Sequence, residues 1–535
     1  MRTARCRMKP YIQPFERHLA IAELQAVARL TSRPLAPMAP EPAMTVETDV
    51  APQQLAERLS YFESVECDGR EFLTEQALKE ATVYVARNGL PIEEIRRQIP
   101  VREASFLPNR RCLRYGTHGV HEYRGKFFPQ LVRSLINISK VPSHGLVADP
   151  MCGSGTTLVE AALAGTRSIG LDMNPLSVFM SSVKCALLAV APETLTDEYH
   201  RVRETLLKTR RPTAPRKLGY LSSLPAHDQK YLNDWFSPQV LDDLDAVSMA
   251  LGTVEDATIR DFMRLALSNI LRRVSWQKED DLRVRKEVRA DVEIDAIREF
   301  LEELGRSVRI VAAFLWQTRG RRVGKVTVQE GDSRELRGIW DDWHNAVDAV
   351  ITSPPYATAL PYLDTDRLSL CYLGLLARSS HRDRDKQMIG NREITDKTRR
   401  DYWDLAKKHA KLLPQSVVML IGKIDLLNAK SDAGFRRRNL PALLAKYFFD
   451  MREVLSGVAA VLKPGAPAFV VVGNNHTIAG GRRVEIETAK LLSEIAVMVG
   501  LQEGQHIPME MLVSRDIFRK NAVAAETVLE FRKPL

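Results

Sequence analysis

The stretch "GLVADPMCGSGTTLVEAALAGTRSIGLDMNP" (145–175) constrains the fold more than any other part of the chain. A short apolar run, a glycine-rich turn, a helix-periodic stretch stopped at Gly165 and a second β-branched run follow in quick succession. Two strands joined through a helix lie parallel, and a parallel sheet needs cover on both faces. The texture returns in "KVTVQEGD" (325–332), "AVDAVITS" (346–353), "PAFVVVGN" (467–474) and "TVLEFRK" (527–533), with helices between them. One such helix, "PALLAKYFFDMREVLSGVAAVLK", is stopped by "PG". The expectation is an α/β fold with a Rossmann-like sheet.

At 535 residues the chain is long enough for two or three domains. Residues 1–52 start with the amphipathic patch "FERHLAIAELQAVARL" and dissolve into a Pro- and Ala-rich run, which predicts a short helix and a flexible basic segment. Residues 53–108 show helical periodicity punctuated by Gly89 and Pro91, a small helical appendage. The sheet then divides into a first half, 109–190, and a second half, 325–535. Between them, 191–324 is charged and helix-periodic, a large helical insertion hung on the sheet's carboxyl edge.

Lys and Arg number 77 against 67 Asp and Glu, so the net charge is +10 and the pI about 9.2. That balance favours a polyanionic partner. Six cysteines without a C-x-x-C pair predict reduced thiols in a cytoplasm. No apolar run reaches the ~18 residues of a membrane span, and no apolar core follows "MRTARCRMKP". His118 and His121 have no Cys or acidic partners at ligand spacing, so no metal is expected.

In "VADPMCGSGTT" the glycines let the backbone approach a ligand, and the helix start offers N–H donors. Asp149 at the strand tip would repel a pyrophosphate but suits a cationic or amino-bearing ligand. Asp172 ends the next strand, where an acid accepts from ribose hydroxyls, and Asp332 ends a third, suited to an adenine amino group. A single acid at a strand end commonly caps a helix. Three beside one glycine-rich turn describe an adenosyl ligand without phosphates. At the end of another strand, "TSPPY" offers the Ser353 hydroxyl and the Pro354 carbonyl as two acceptors for an amino group. Pro355 stiffens that carbonyl's aim, and Tyr356 can stack on a base swung out of a duplex.

"DPMCGSGTT" together with "TSPPY" resembles the amino-group DNA methyltransferases, which act on N4 of cytosine or N6 of adenine. The resemblance implies a seven-stranded methyltransferase sheet and S-adenosylmethionine as cofactor. It places cofactor contacts at Asp149, Met151, Gly153, Ser154, Gly155, Thr156, Asp172, Met173, Asp332 and Ser333, and catalysis at Ser353, Pro354, Pro355 and Tyr356. "HGVHEYRGKFFPQLVRSLI" (118–136) resembles the segment folded over the methionine end of the cofactor, which adds Tyr123, Lys126 and Phe127. "VLKPGAPAFVVVGNNHTIAGGRRV" is similar to the family's late strand and the loop beside the target base.

A serine opening the tetrapeptide is typical of cytosine-N4 members, so the implied substrate is cytosine in duplex DNA, with the target base flipped out and a cognate restriction endonuclease as a further partner. The alternatives are adenine N6, an RNA amino group, and a DNA-binding protein without catalysis. The insertion between the second and third strands departs from the family pattern. Whether it reads sequence, clamps the backbone or only packs is open. The basic stretches 379–400 and 430–439 are phosphate contacts or solvated turns.

Overall fold

The chain's structure is a computed structural model that describes residues 1–30, 43–87, 89–123, 125, 128–209, 218–278, 284–288, 292–357, 362–391, 394–430, 434–510 and 525–535. At the N-terminus, burial alternates along "RTARCRM": Ala4, Cys6 and Met8 point inward between outward arginines. That period of two makes β1 (Arg2–Met8) a strand. α1 (Pro14–Val27), β2 (Ala43–Thr48), α2 (Pro52–Arg58), β3 (Phe62–Cys67), β4 (Arg70–Leu73), α3 (Glu75–Arg87) and α4 (Ile92–Gln98) follow. The strands form an antiparallel sheet in the order β2-β1-β3-β4.

The flexible segment expected over 1–52 and the purely helical appendage over 53–108 are therefore corrected to one α/β unit. The Pro- and Ala-rich residues 31–42 lie outside the described residues. The unit is tied down at buried polar positions. Glu23 on α1 accepts from the Ser60 hydroxyl at 2.8 Å and from Asn137 Nδ2 at 2.7 Å, and Glu80 on α3 meets Lys9 Nζ at 2.5 Å. Charges buried this deeply persist only when paired in this way.

α5 (Pro129–Ile138) leads into the main sheet: β5 (Leu146–Asp149), α6 (Thr156–Leu163), β6 (Arg167–Asp172) and α7 (Pro175–Ala186). The insertion comes next, with α8 (Pro192–Lys208), α9 (Ala226–Trp235), α10 (Pro238–Gly252), α11 (Ala257–Val274) and α12 (Ala296–Gln317). Ser237, Asp256 and Asp295 cap α10, α11 and α12 by accepting from backbone amides. Leu195, Leu244, Phe262, Leu265, Phe300 and Leu304 share one core, which also takes in Leu158 of α6 and Met180 of α7.

The sheet resumes with β7 (Val326–Glu330), then α13 (Leu336–Ile339) and β8 (Ala349–Thr352). A second long excursion follows: α14 (Tyr362–Tyr372), α15 (His381–Gln387), α16 (Asp396–Lys408), α17 (Gln415–Ala429) and α18 (Phe435–Val461). β9 (Pro467–Gly473), the hairpin β10 (Asn475–Ala479) and β11 (Arg482–Ile486), α19 (Thr488–Met498), β12 (Gln502–Glu510) and β13 (Ala525–Arg532) complete the chain.

The seven strands run in the order β12-β13-β9-β8-β5-β6-β7, parallel except for antiparallel β13 and its partner pairings. The N-terminal unit and α5 cover one face, where Leu131 and Leu135 meet Val147, Ile351 and Phe469. α18 and α19 cover another stretch through Val454, Leu455 and Leu492 against Val470 and Leu529. Among the described residues no single helix is long and apolar enough to cross a membrane.

Candidate active site

From β5 the chain turns one way to β6 and returns on the other side as β8, so a crevice opens at the carboxyl ends of these strands. A cavity lies there, partly open to solvent. Its walls bring together residues far apart in sequence: Tyr123, Met151, Gly153, Ser154, Thr156, Asp172, Met173, Asp332, Ser333, Ser353 and Pro355.

Asp172 organises the glycine-rich turn. Its Oδ2 accepts from the Gly153 amide and its Oδ1 from the Asn174 amide, each at 2.8 Å. Burial pushes its carboxyl up to about 6, against the pull of the Asn174, Gly153 and Met173 amides. Gly153 and Gly155 both stand in the left-handed region, at φ 49° and 78°. A Cβ on Gly153 would come within 3.0 Å of the Tyr123 ring, and one on Gly155 within 2.7 Å of Ser181 Cβ. The first glycine lets Tyr123 fold over the turn. The second lets α6 approach α7 and does not line the cavity.

Asp149 also lies off the cavity wall. It is buried at the end of β5, with Oδ1 accepting from the Met151 amide at 3.2 Å. Burial pushes it up to about 7, opposed by the neighbouring hydroxyls of Thr352 and Thr157. It braces the turn from beneath, where the sequence suggested a ligand contact. Asp332 reaches the cavity, but Arg334 holds both of its oxygens, with Nε at 2.9 and 3.0 Å, and also reaches Asp450 at 3.0 Å. Its lone pairs are thus shared with a guanidinium, a partner the sequence did not reveal. The Ser333 hydroxyl donates to the Pro150 carbonyl at 2.5 Å and closes β7's tip onto the turn.

At the reaction end, the Thr157 hydroxyl donates to the Ile351 carbonyl at 3.0 Å, so the first turn of α6 grips the end of β8. Ser353 and Pro355 then line the cavity, whereas Pro354 is buried and Tyr356, half-buried against the core, is not part of its wall. The Tyr356 hydroxyl donates to the Glu526 carboxylate on β13. Asn475 Nδ2, at the start of β10, donates to the Ala357 carbonyl at 2.9 Å and anchors the loop after the tetrapeptide.

Lys126 and Phe127 lie outside the described residues. Sequence reasoning missed Gly125, Cys152, Met388 and Ile389, which complete the wall. Met388 and Ile389 sit in the stretch read as a basic DNA-contact loop. Arg384 secures that stretch to the cofactor side through the Met173 carbonyl at 2.7 Å and Glu330 at 2.6 Å.

His118 and His121 serve the scaffold. His118 Nε2 lies 2.8 Å from Glu160, and His121 Nε2 lies 2.9 Å from the Ser268 hydroxyl. Burial alone would raise Glu160, but Lys79, His118 and Arg133 hold it down to about 2. Among the described residues no three His, Cys, Asp or Glu side chains gather as metal ligands.

A strand-tip carboxylate bonded to the turn amide, a glycine backed by an aromatic ring, and acids on neighbouring tips make a cavity that fits S-adenosylmethionine. Tyr123, Gly153, Asp172 and Asp332 are the residues that would hold it. Sheet order and cavity match the arrangement expected of an S-adenosylmethionine-dependent methyltransferase.

The RMKL-like, methyltransferase domain family matches residues 120–208. The type II methyltransferase M.MvaI of Kocuria varians is 24% identical over 393 residues, covering 71% of this chain and 80% of that protein. A tRNA (guanine(10)-N2)-dimethyltransferase of Methanothermobacter thermautotrophicus is 40% identical over 52 residues, 10% of this chain and 16% of that protein. Among solved structures, the rRNA methyltransferase aviRa of Streptomyces viridochromogenes aligns over 77% of this chain and 89% of its own, at 12% identity and a TM-score of 0.27. The matched domain model and the type II relatives support an amino-methyltransferase family.

Proposed function

We propose that this protein is a DNA methyltransferase that transfers the methyl group of S-adenosylmethionine to N4 of cytosine in duplex DNA. The observation that carries the reading is the placement of Ser353 and Pro355 in the same cavity wall as Gly153 and Asp172. Type II methyltransferases modify DNA, and the similarity to one of them extends over 71% of the chain. The similarity to a tRNA enzyme extends over 10%, so RNA is the second reading. A restriction endonuclease of the same specificity is the partner this assignment implies.

The bound cofactor supplies a methyl group on a sulfonium centre. The protein's task is to make a weakly nucleophilic amino group attack it. An exocyclic nitrogen delocalises its lone pair into the ring. Acceptors at its two N–H bonds, the Ser353 hydroxyl and the Pro354 carbonyl, polarise those bonds and help the nitrogen toward a tetrahedral shape. Tyr356, fixed at its hydroxyl by Glu526, supplies a ring on which a flipped base stacks. The attack is direct, so no enzyme nucleophile is required. Consistent with this, Cys152, which lines the cavity, is pushed well above the thiol's ordinary value, first by burial and then by Asp172 and Asp149.

The test is to supply methyl-labelled cofactor with either duplex DNA or bulk tRNA and rRNA, then digest to nucleosides. Label in N4-methylcytosine from DNA is the expected result. Label confined to RNA would overturn the substrate, and label only in N6-methyladenine would overturn the base.

A further inference from the structure

We infer that the duplex backbone is held by the face formed by α16, α17 and the start of α18, and not by the larger insertion between β6 and β7. This rests on the DNA reading above. The insertion, 191–324, has 23 Lys and Arg against 22 Asp and Glu, so it adds almost nothing to the net charge. Residues 378–438 have 16 Lys and Arg against 8 Asp and Glu, an excess that accounts for most of the chain's +10.

The cations of the two regions are also used differently. Several of the insertion's described cations meet acids on their own or adjoining helices, as in Arg201–Glu198, Arg273–Glu299 and Arg298–Glu302, and in 378–438 Lys386 and Arg399 do the same with Asp383 and Asp396. Lys407 and Lys408 at the end of α16, Lys411 in the turn just after it, and Arg436, Arg437 and Arg438 in the first turn of α18, are exposed. None of these six makes an ion pair with a described residue. The arginines stand at the positive end of a 27-residue helix, where the helix dipole disfavours cations and a bound anion would offset them.

The face is continuous with the reactive tip. Asn428 Nδ2 at the end of α17 donates to the Arg437 carbonyl at 2.8 Å, which joins α17 to α18. Gly480, in the β10–β11 turn, sits so close to α17 that a Cβ there would lie 2.7 Å from the Leu427 carbonyl oxygen. The hairpin that begins at Asn475 in turn holds the Ala357 carbonyl, one residue past Tyr356. A duplex lying on this face keeps its phosphates on the lysines and arginines while one base enters beside Ser353. Phosphate contacts of this sort set affinity and position and leave the choice of base to the cavity.

The experiment uses the full-length chain, a fluorescent mixed-sequence duplex of about 40 base pairs and anisotropy at several salt concentrations. The variants are the triple substitutions Lys407→Ala/Lys408→Ala/Lys411→Ala and Arg436→Ala/Arg437→Ala/Arg438→Ala. The control is Arg298→Ala/Arg306→Ala on α12. Each triple substitution should weaken binding at least about tenfold and lower the slope of log Kd against log salt by roughly two to three, since each phosphate no longer neutralised takes away ~0.9. The control should stay within about twofold of wild type, and calorimetry should give unchanged cofactor affinity for all three. Wild-type binding that survives both triple substitutions, or that falls only in the α12 control, overturns the assignment of the face and leaves the DNA reading standing. A wild-type protein that binds tRNA but no duplex overturns the DNA reading and this face as a duplex site together.

Discussion

Two long excursions leave the carboxyl edge of the same sheet, and they are built on opposite terms. The one between β6 and β7 buries most of its large apolar residues in a shared core, leaving Leu207 and Met249 exposed, and pairs several of its cations with its own acids. The one between β8 and β9 has a helix, α16, with no buried residue, exposes Met419 and Leu426 on α17, and carries a row of cations without acidic partners among the described residues. Length is thus a poor guide to which segment meets the substrate. A segment whose charges are balanced by its own acids is scaffold, and one that gathers exposed cations without such partners is offering them to an anionic partner.

The largest effect expected from this contrast is on stability. Phe300→Ala removes a fully buried ring from the insertion's core and should cost about 3–5 kcal/mol, read as a lower denaturation midpoint with unchanged slope. A loss below about 1 kcal/mol would mean that the insertion is not integral to the fold. The next effect is catalytic. Ser353→Ala, at the root of the second excursion, should lower methyl transfer on the order of 100-fold while cofactor affinity stays within about twofold. Loss of both together would place Ser353 in cofactor binding.

A smaller effect is expected from pH. Asp172 titrates at about 6 in the free protein and holds a proton below that, whereas a carboxylate that accepts from ligand hydroxyls has to be ionised. Cofactor Kd should therefore be flat above about pH 7 and rise as pH falls below 6, by up to about tenfold per unit. A Kd that is constant from pH 7.5 to 5 would move the ribose contact to another group. The smallest effect concerns the exposed side of the second excursion. Met419→Ala and Leu426→Ala should each change stability by less than about 0.5 kcal/mol. A larger loss would show that α17 is packed against something in solution.

Much of the parallel sheet was legible because its strands are short β-branched runs that end on Asp149 and Asp172 or just before Ser353, residues with no reason to interrupt a buried strand except a site beyond it. Gly153, Asp172, Ser353 and Pro355 could be named in advance because each has a chemical requirement visible in one residue: backbone freedom, a paired carboxylate, an acceptor hydroxyl, a fixed φ. The rest depended on contacts between distant positions. Arg334 covering Asp332, Glu526 holding Tyr356, and Met388 and Ile389 closing the cavity come from segments that meet only after folding. The N-terminal strand β1 was misread for a different reason. Its arginines suggested a basic tail, while the alternating Ala4, Cys6 and Met8 that make it a strand were in plain view.

The central claim is that the Ser353 cavity methylates the amino group of cytosine in DNA. Its most direct test is nucleoside mass spectrometry, joined with modification-sensitive sequencing, of genomic DNA from cells that express either the wild-type chain or Ser353→Ala. The account predicts N4-methylcytosine at one short recurring sequence in the first and none in the second. N6-methyladenine alone, or N4-methylcytosine at equal levels in both, would contradict it.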